Sequence, residues 1–397
     1  MKKLLNFNQV KWLNSYQTGE YLLNLLNGRP ENHFLFVILH QIQVWCGLSG
    51  AGRVAVLAER SMNRLTIKTC PLCGGTRLKR ALTCVDHYAS GEMFHLCRCE
   101  ECGFLFTQDF PVEAEIGRYY ETPDYISHSD TRKGAMNSVY HWVRGYMLDR
   151  KARLVAHEAH RKEGRLLDLG TGTGYFADTM RRCGWQVEAV EKSAQARAFA
   201  KEHFGLDVKP PTALKEYAPG SFDVITLWHV LEHLEPLNET WETLRSLLSD
   251  KGVLIVAVPN CSSFDARKYG AYWAAYDVPR HLWHFTPDTI QRFGAKHGFR
   301  LTERYPMPFD AFYVSMLTET HMRHSLAFLR GMLAGTLAWF AALVKKERSS
   351  SMIYVFRKKS QASSPTPIER GIDTLEIGGG VSKGKSETSE TEGERND

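Results

Sequence analysis

The middle of the chain alternates between two spacings of apolar residues. Residues 165–169 form a short apolar run ending in a glycine-rich turn, and residues 175–183 then follow helical spacing. The pair repeats. Residues 186–191 read as a strand, and 194–204 as a helix stopped by Gly205. Residues 222–228 read as a strand, 237–248 as a helix, and 252–259 as the most apolar strand of all. Strands alternating with helices predict a parallel sheet covered on both faces. Thr286-Pro287-Asp288 predicts a helix start, with Thr as N-cap and Pro at the first helical position. Gly298 predicts its stop. Residues 299–305 and 352–358 read as two more strands, separated by an excursion over 306–351.

The flanks are less regular. Residues 1–61 show no sustained periodicity and are expected to be an N-terminal extension, with Met62 as a candidate natural start. Residues 111–163 are expected to be mostly helical, because Tyr140, Val143, Tyr146, Met147, Leu154 and Val155 recur at near-helical spacing. From residue 360 onward Ser, Thr, Gly and Glu dominate, which predicts a disordered tail. Inside the excursion, a helix over 325–345 carries apolar side chains around much of its circumference, among them Leu326, Phe328, Leu329, Met332, Leu333, Trp339 and Phe340. That favours burial as a cap on the sheet; a lid over a hydrophobic acceptor and an interfacial or partner-binding helix are the alternatives. Its uninterrupted apolar run, 331–344, falls short of the ~20 residues a bilayer requires. No transmembrane span is expected, and peripheral membrane contact through 325–345 stays open.

Charge and cysteine content sharpen this picture. The net charge is +6, but the tail from residue 360 is net acidic, so the body is more basic than the total suggests. Of nine cysteines, Cys70, Cys73, Cys97, Cys99 and Cys102 fall within 33 residues. With no secretory signal evident, a reducing, cytoplasmic compartment is expected, where clustered Cys points to metal more than to disulfide. Cys70-Pro71-Leu72-Cys73-Gly74 and Cys99-Glu100-Glu101-Cys102-Gly103 form two C-x2-C-G knuckles. Each offers two thiolates, and two knuckles complete a tetrahedron around Zn2+. Cys84 and Cys97 are expected to be spectators, with Cys97 the candidate substitute ligand. Residues 94–96 and 104–106 are the candidate paired strands beside the second knuckle.

The strongest signal is Asp168-Leu169-Gly170-Thr171-Gly172-Thr173-Gly174, between a strand and a helix. Glycines let a ligand approach the backbone because no Cβ intervenes, and the helix start adds free N–H donors. A dinucleotide fingerprint would place its third Gly at position 175, where Tyr175 stands. The carboxylate of Asp168 would oppose a pyrophosphate but suits the ammonium end of a methionine. Glu191, at the end of the second strand, can accept both hydroxyls of a ribose.

Asp168-x-Gly-x-Gly-x-Gly, Val190-Glu191-Lys192-Ser193, Ser221-Phe222-Asp223-Val224 and His229-Val230-Leu231-Glu232-His233 together resemble the class I S-adenosylmethionine (SAM)-dependent methyltransferases. Within them the chain is similar to the methyltransferase type 11/12/23 group, as is the stretch 278–286, Val-Pro-Arg-His-Leu-Trp-His-Phe-Thr. The resemblance covers about 140–305 and the final strand. It implies an α/β, Rossmann-like sheet of seven mostly parallel strands whose last strand is antiparallel, behind a small four-cysteine zinc module. The implied division is a zinc module over 62–110 and a methyltransferase domain over 111–359 with a helical insertion at 306–351. It implies SAM contacts at Gly170, Thr171, Gly172, Gly174, Glu191, Lys192, Trp228 and His229. An Asp that contacts adenine in many relatives has no clear equivalent in 213–217.

Methyl transfer is an in-line displacement governed by alignment, and a base helps when the acceptor still holds its proton. His229, His281 and His284 are the candidate bases, since His titrates near neutrality. Arg280 is a candidate for an acidic group on the acceptor, and Tyr272 and Trp273 for an aromatic acceptor wall. Glu232-His233 reads as a helix cap. The module lacks a dense Lys/Arg array with interleaved aromatics. The expected acceptor is therefore a small molecule, glycan or lipid-linked compound. RNA methylation, and a non-catalytic binding role for the fold, are the competing readings.

Overall fold

The structure is a computed structural model and describes residues 63–120, 135–307 and 309–359, with side chains of 135–143 excluded. The expected extension over 1–61, the start at Met62, the tail over 360–397 and the 121–134 part of the expected helical stretch lie outside the described residues.

A four-stranded sheet of order β10-β4-β3-β2 holds the cysteine-rich segment. Its strands are β2 (Leu78–Val85), β3 (Met93–Cys99), β4 (Leu105–Gln108) and β10 (Trp283–His284), after a short β1 (Arg64–Leu65) that pairs with β5 (Phe110–Pro111). The expected pairing beside the second knuckle is present, with Leu96 opposite Thr107 and Cys97 opposite Phe106. The sequence did not announce the fourth strand: β10 comes from far along the chain and lays Trp283 opposite Phe106 and His284 opposite Leu105.

The central sheet has the order β11-β12-β9-β8-β6-β7. Its strands are β6 (Arg165–Leu169), β7 (Gln186–Val190), β8 (Phe222–Trp228), β9 (Leu248–Pro259), β11 (Phe299–Met307) and β12 (Ser351–Lys358). The first four are parallel to one another, and β12 runs antiparallel to both β9 and β11. The expected reversed last strand is there. Six strands, not seven, are present among the described residues. At the edge beyond β7 only an isolated parallel bridge, Val190 to Lys209, remains. Pro210 and Pro211 follow immediately, and a residue with no N–H cannot extend a ladder.

Alternation along the strands sends side chains to two cores. Leu167, Leu169, Ile225, Leu227, Leu254, Val256 and Val258 pack on one face with Trp241 and Leu244 of α4 (Leu237–Leu247) and Ile290 and Phe293 of α6 (Pro287–Lys296). Leu166, Val224, Val253, Ile255 and Ala257 pack on the other, with Val155 of α1 (Ala135–Ala159) and Phe176 and Met180 of α2 (Tyr175–Arg182). Each fully buried side chain of this kind contributes roughly 1.5–3 kcal/mol. The local punctuation works as expected. The Ser193 hydroxyl accepts from Ala196 N–H at 3.2 Å to cap α3 (Ala194–Phe204), and Gly205 ends it at φ +64°. The Thr286 hydroxyl accepts from Thr289 N–H at 3.2 Å to cap α6.

The excursion after β11 folds as two helices: α7 (Asp310–His321), which the sequence reading did not anticipate, and α8 (Ala327–Val344). Between α4 and α7 lies the short α5 (Phe264–Tyr269). The all-round burial expected of α8 is not observed. It turns Gly331, Ala334, Gly335, Ala338 and Ala342 inward and leaves its large side chains outside. The reason is close backbone approach: a Cβ on Gly331 would lie 2.5 Å from the Met316 Cα, and one on Gly335 2.8 Å from the Phe312 Cα.

Candidate active site and cysteine centre

The loop between β6 and α2 is pinned to the end of β7, since Gly170 N–H and Thr171 N–H both donate to the Val190 carbonyl, at 2.8 and 3.1 Å. Its three glycines take positive φ but serve different ends. A Cβ at Gly170 would collide with Val230 at 2.4 Å, and one at Gly174 would press on Ala200 at 3.0 Å. Gly172, at φ +57°, has nothing within 4 Å of its Cβ direction. It is the glycine that faces open space. Glu191 braces the loop beside that space: Oε2 accepts from Gly172 N–H and Oε1 from Ser193 N–H, each at 2.8 Å. Each carboxylate oxygen keeps a further lone pair for a ligand hydroxyl.

The other expected cofactor residues are placed less directly. Asp168 is buried under the loop, and its Oδ1 accepts from the Thr226 hydroxyl at 2.7 Å, bracing β6 against β8. Burial pushes its carboxyl up to about 6 despite that hydrogen bond. Lys192 is turned outward into an ion pair with Glu113. Trp228 packs edge-on against Phe176, and the Lys151 ammonium sits 4.4 Å over its ring.

At the end of β8 the chain makes a sharp turn: His229 adopts φ +57°, unusual for a residue with a side chain. Its ring lies between two carboxylates, with Nε2 3.4 Å from Asp310 Oδ2 and Nδ1 3.5 Å from Glu232 Oε1. Burial alone would depress its pKa, but hydrogen bonding and charge from Asp310 and then Glu232 raise it to about 9. At neutral pH His229 is therefore an imidazolium, the wrong form for a base. Asp310 was missed by sequence reasoning because it is 81 positions away on an unanticipated helix; no local motif could have paired it with His229.

His233, read from sequence as a cap residue, belongs to the site. Its Nδ1 lies 3.0 Å from the Arg280 carbonyl and 3.1 Å from the Tyr120 hydroxyl, and its ring meets His281 at a centroid distance of 4.5 Å. Burial, then the charge of His281, lowers its pKa to about 4, so it is neutral. His281 Nδ1 lies 2.9 Å from the Ala275 carbonyl. A carbonyl oxygen can only accept, so each ring carries its proton on Nδ1 and leaves Nε2 as an acceptor. Glu232 is buried beside them; one of its oxygens and one ring nitrogen from each His lie within 4.8 Å of one another, close enough to share a cation.

The rest of the 272–284 stretch is structural in contact. His284 is buried, and its Nε2 donates to the Thr107 hydroxyl at 3.0 Å, while that hydroxyl donates to the His281 carbonyl at 2.7 Å. Burial holds its pKa well below the ordinary value. Arg280 is buried and engaged: Nε donates to Asp277 Oδ2 at 2.9 Å, Nη1 to the Tyr119 carbonyl at 2.8 Å, and the guanidinium lies 3.9 Å from the Tyr88 ring centre. Trp273 is buried, its indole N–H donating to Asp265 Oδ2 at 2.8 Å. Tyr272 is about half exposed and stacks near His87. Tyr272, Trp273, His87, Tyr88, Asp277 and His321 line a small recess where the cysteine-rich segment meets α7.

The two knuckles converge. Cys70 Sγ lies 3.5 Å from Cys102 Sγ, and Cys73 Sγ 3.5 Å from Cys99 Sγ, with all four within 4.8 Å of one another. A tetrahedral Zn2+ with bonds of ~2.3 Å separates its sulfurs by about 3.8 Å, so the donor set fits zinc. Cys84 and Cys97 lie outside this group of four.

Residues 139–304 match the family model described as a methyltransferase domain. The match runs from α1, through the glycine loop and Glu191, to β11. Among curated relatives, the chain is 34% identical to a ubiquinone biosynthesis O-methyltransferase of Caulobacter sp. over 142 residues, covering 32% of this chain and 56% of that protein. It is 28% identical to the ubiquinone biosynthesis O-methyltransferase of Rhodopseudomonas palustris over 158 residues, covering 37% and 62%. The similarity thus spans less than two thirds of either relative. Of solved structures, a geranyl diphosphate C-methyltransferase from Streptomyces coelicolor A3(2) shares 13% identity at a TM-score of 0.41, over 58% of this chain and 86% of that one. The cysteine centre and both helices of the excursion fall outside the matched methyltransferase domain.

Proposed function

We propose that this chain transfers a methyl group from SAM to a small-molecule acceptor. The observation that carries this is the open space over Gly172, whose N–H donates to the Glu191 carboxylate. It is the one place in the loop where a ligand can lie on bare backbone. Gly170, Gly172 and Gly174 would hold the methionine and ribose side of SAM, and Glu191 would accept the ribose hydroxyls. When bound, SAM supplies an electrophilic methyl group. The protein's part is alignment and water exclusion, and acceptance of the acceptor's proton where there is one.

The relatives named as O-methyltransferases favour a hydroxyl acceptor. For such an acceptor we assign the proton-accepting role to Nε2 of His281 or His233. His229, cationic between Asp310 and Glu232, takes a positioning role, and His284 an architectural one. Arg280 and Trp273 shape the acceptor side from behind, and Tyr272 borders the recess. A glycan or lipid-linked acceptor, worked on in the cytoplasm, is the alternative to a free small molecule. The four cysteines would hold one Zn2+ as a structural ion.

Calorimetry with SAM, followed by transfer of labelled methyl into small-molecule and macromolecular fractions of an extract, tests the reading. SAM binding with label in the small-molecule fraction is expected. Label in RNA, with salt-sensitive RNA binding, would replace the acceptor class; no SAM binding would end the proposal.

A further inference from the structure

The outward face of α8 has no cover among the described residues. Leu326, Leu329, Leu333, Leu337, Phe340 and Val344 recur at intervals of three and four, and all six are 46–84% exposed. They form one apolar stripe along a helix of 18 residues, about 27 Å long at 1.5 Å per residue. Contiguous apolar surface of this kind marks an interaction site.

Charge selects the occupant. Residues 322–346 contain no Asp or Glu. Exposed cations stand at both ends of the stripe, with Arg323 before it and Lys345, Lys346 and Arg348 after it; Glu347 between the last two faces Arg304 at 4.0 Å. Arg330, the one charged residue inside the helix, is tied to Glu319 by a 2.9 Å hydrogen bond. A second copy packing its own α8 on this face would bring cationic ends together in either orientation: like ends if parallel, Arg323 against Lys345 and Lys346 if antiparallel. An anionic surface supplies the missing countercharge. The helix is long and apolar enough to cross a membrane, but its surroundings do not suit a span. The opposite face, with Gly331, Ala334, Gly335 and Ala338, is buried, and Gly331 and Gly335 lie against α7. The chain also returns to the central sheet at Ser351, seven residues past the helix end.

We propose that α8 docks the protein on an anionic phospholipid surface. It lies in the membrane plane with the Leu/Phe stripe inserted among the acyl chains and the flanking cations among the headgroups. The proposal is independent of methyl transfer. Its link to the site is structural: α7, on which α8 rests, also carries Asp310 to His229.

The test is flotation of the full chain with vesicles of phosphatidylcholine alone or mixed equally with phosphatidylglycerol, at low and high salt, beside sedimentation velocity without lipid. A monomer that floats with the mixed vesicles, and less so in high salt, is expected. Leu333→Gln with Leu337→Gln should cut partitioning roughly a hundredfold, about tenfold per leucine withdrawn from an apolar phase, with an unchanged circular dichroism spectrum. Lys345→Glu with Lys346→Glu should weaken binding to the mixed vesicles only, and keeps the test decisive if the leucine variant misfolds. No flotation on either vesicle overturns the proposal. So does a dimer that the leucine substitutions split without any vesicle binding, or equal binding to both vesicles regardless of salt.

Discussion

Gly172→Val separates the cofactor reading from ordinary backbone strain. At φ +57° any L side chain costs about 1–2 kcal/mol, and a β-branched one sits at the upper end. No atom lies within 4 Å of the added Cβ, so the folded state has no clash to add to that strain. Gly205→Val is the matched control for strain: it has φ +64°, nothing within 4 Å, and a place at the end of α3 rather than in the loop itself. Both variants should lose about 2 kcal/mol of stability, a fall in Tm on the order of 5 °C. Only Gly172→Val should lose SAM, because its isopropyl group fills the open space over the loop. The expected loss of affinity is at least a hundredfold, read by calorimetry well below both melting points. If folded Gly172→Val bound SAM within threefold of the unsubstituted chain, the loop would not be where the cofactor lies.

Glu191→Gln keeps an acceptor for Gly172 N–H but removes the charge that would strengthen two ribose hydrogen bonds; SAM affinity should fall roughly ten- to a hundredfold by calorimetry. Elemental analysis should find one zinc per chain, and Cys99→Ser should lower both zinc content and Tm, since the cysteine segment shares the main core. The raised pKa of His229 contributes stability that is complete below about 6.5 and is lost as pH rises through about 9. Denaturation midpoints should therefore fall across that window, and Asp310→Asn should flatten the slope. Gly331→Val drives a side chain into the Met316 backbone and should cost about 1–3 kcal/mol in denaturant unfolding.

The alternating half of the chain was readable because each signal there is local. The periodicities of β6 through α4, the caps at Ser193 and Thr286 and the stop at Gly205 each need only a few neighbouring residues. The convergence of the four knuckle cysteines was readable for the same reason. What could not be read depends on distance. No pattern near Trp283-His284 says that it pairs with β4, and nothing near His229 points to Asp310. The burial of α8 was misjudged because a helix apolar all round looks buried; only the packing partner shows that glycine and alanine took the inside. The missing strand beyond β7 was legible after all, in Pro210-Pro211, had the two prolines been weighed against the resemblance. Arg280 and Trp273 show the reverse error, for polar and aromatic residues near a site can be spent wholly on holding its walls.

One seam ties the molecule's two halves into a single machine. Thr107 on β4 donates to the His281 carbonyl and accepts from His284, and Thr107 N–H donates to the Leu282 carbonyl at 2.9 Å. A loop that carries a candidate proton acceptor is thus stitched, at three successive points, to the strand beginning three residues after Cys102. The cysteine segment cannot be treated as a detachable appendage: excising it would unlace the loop that carries His281 and His284.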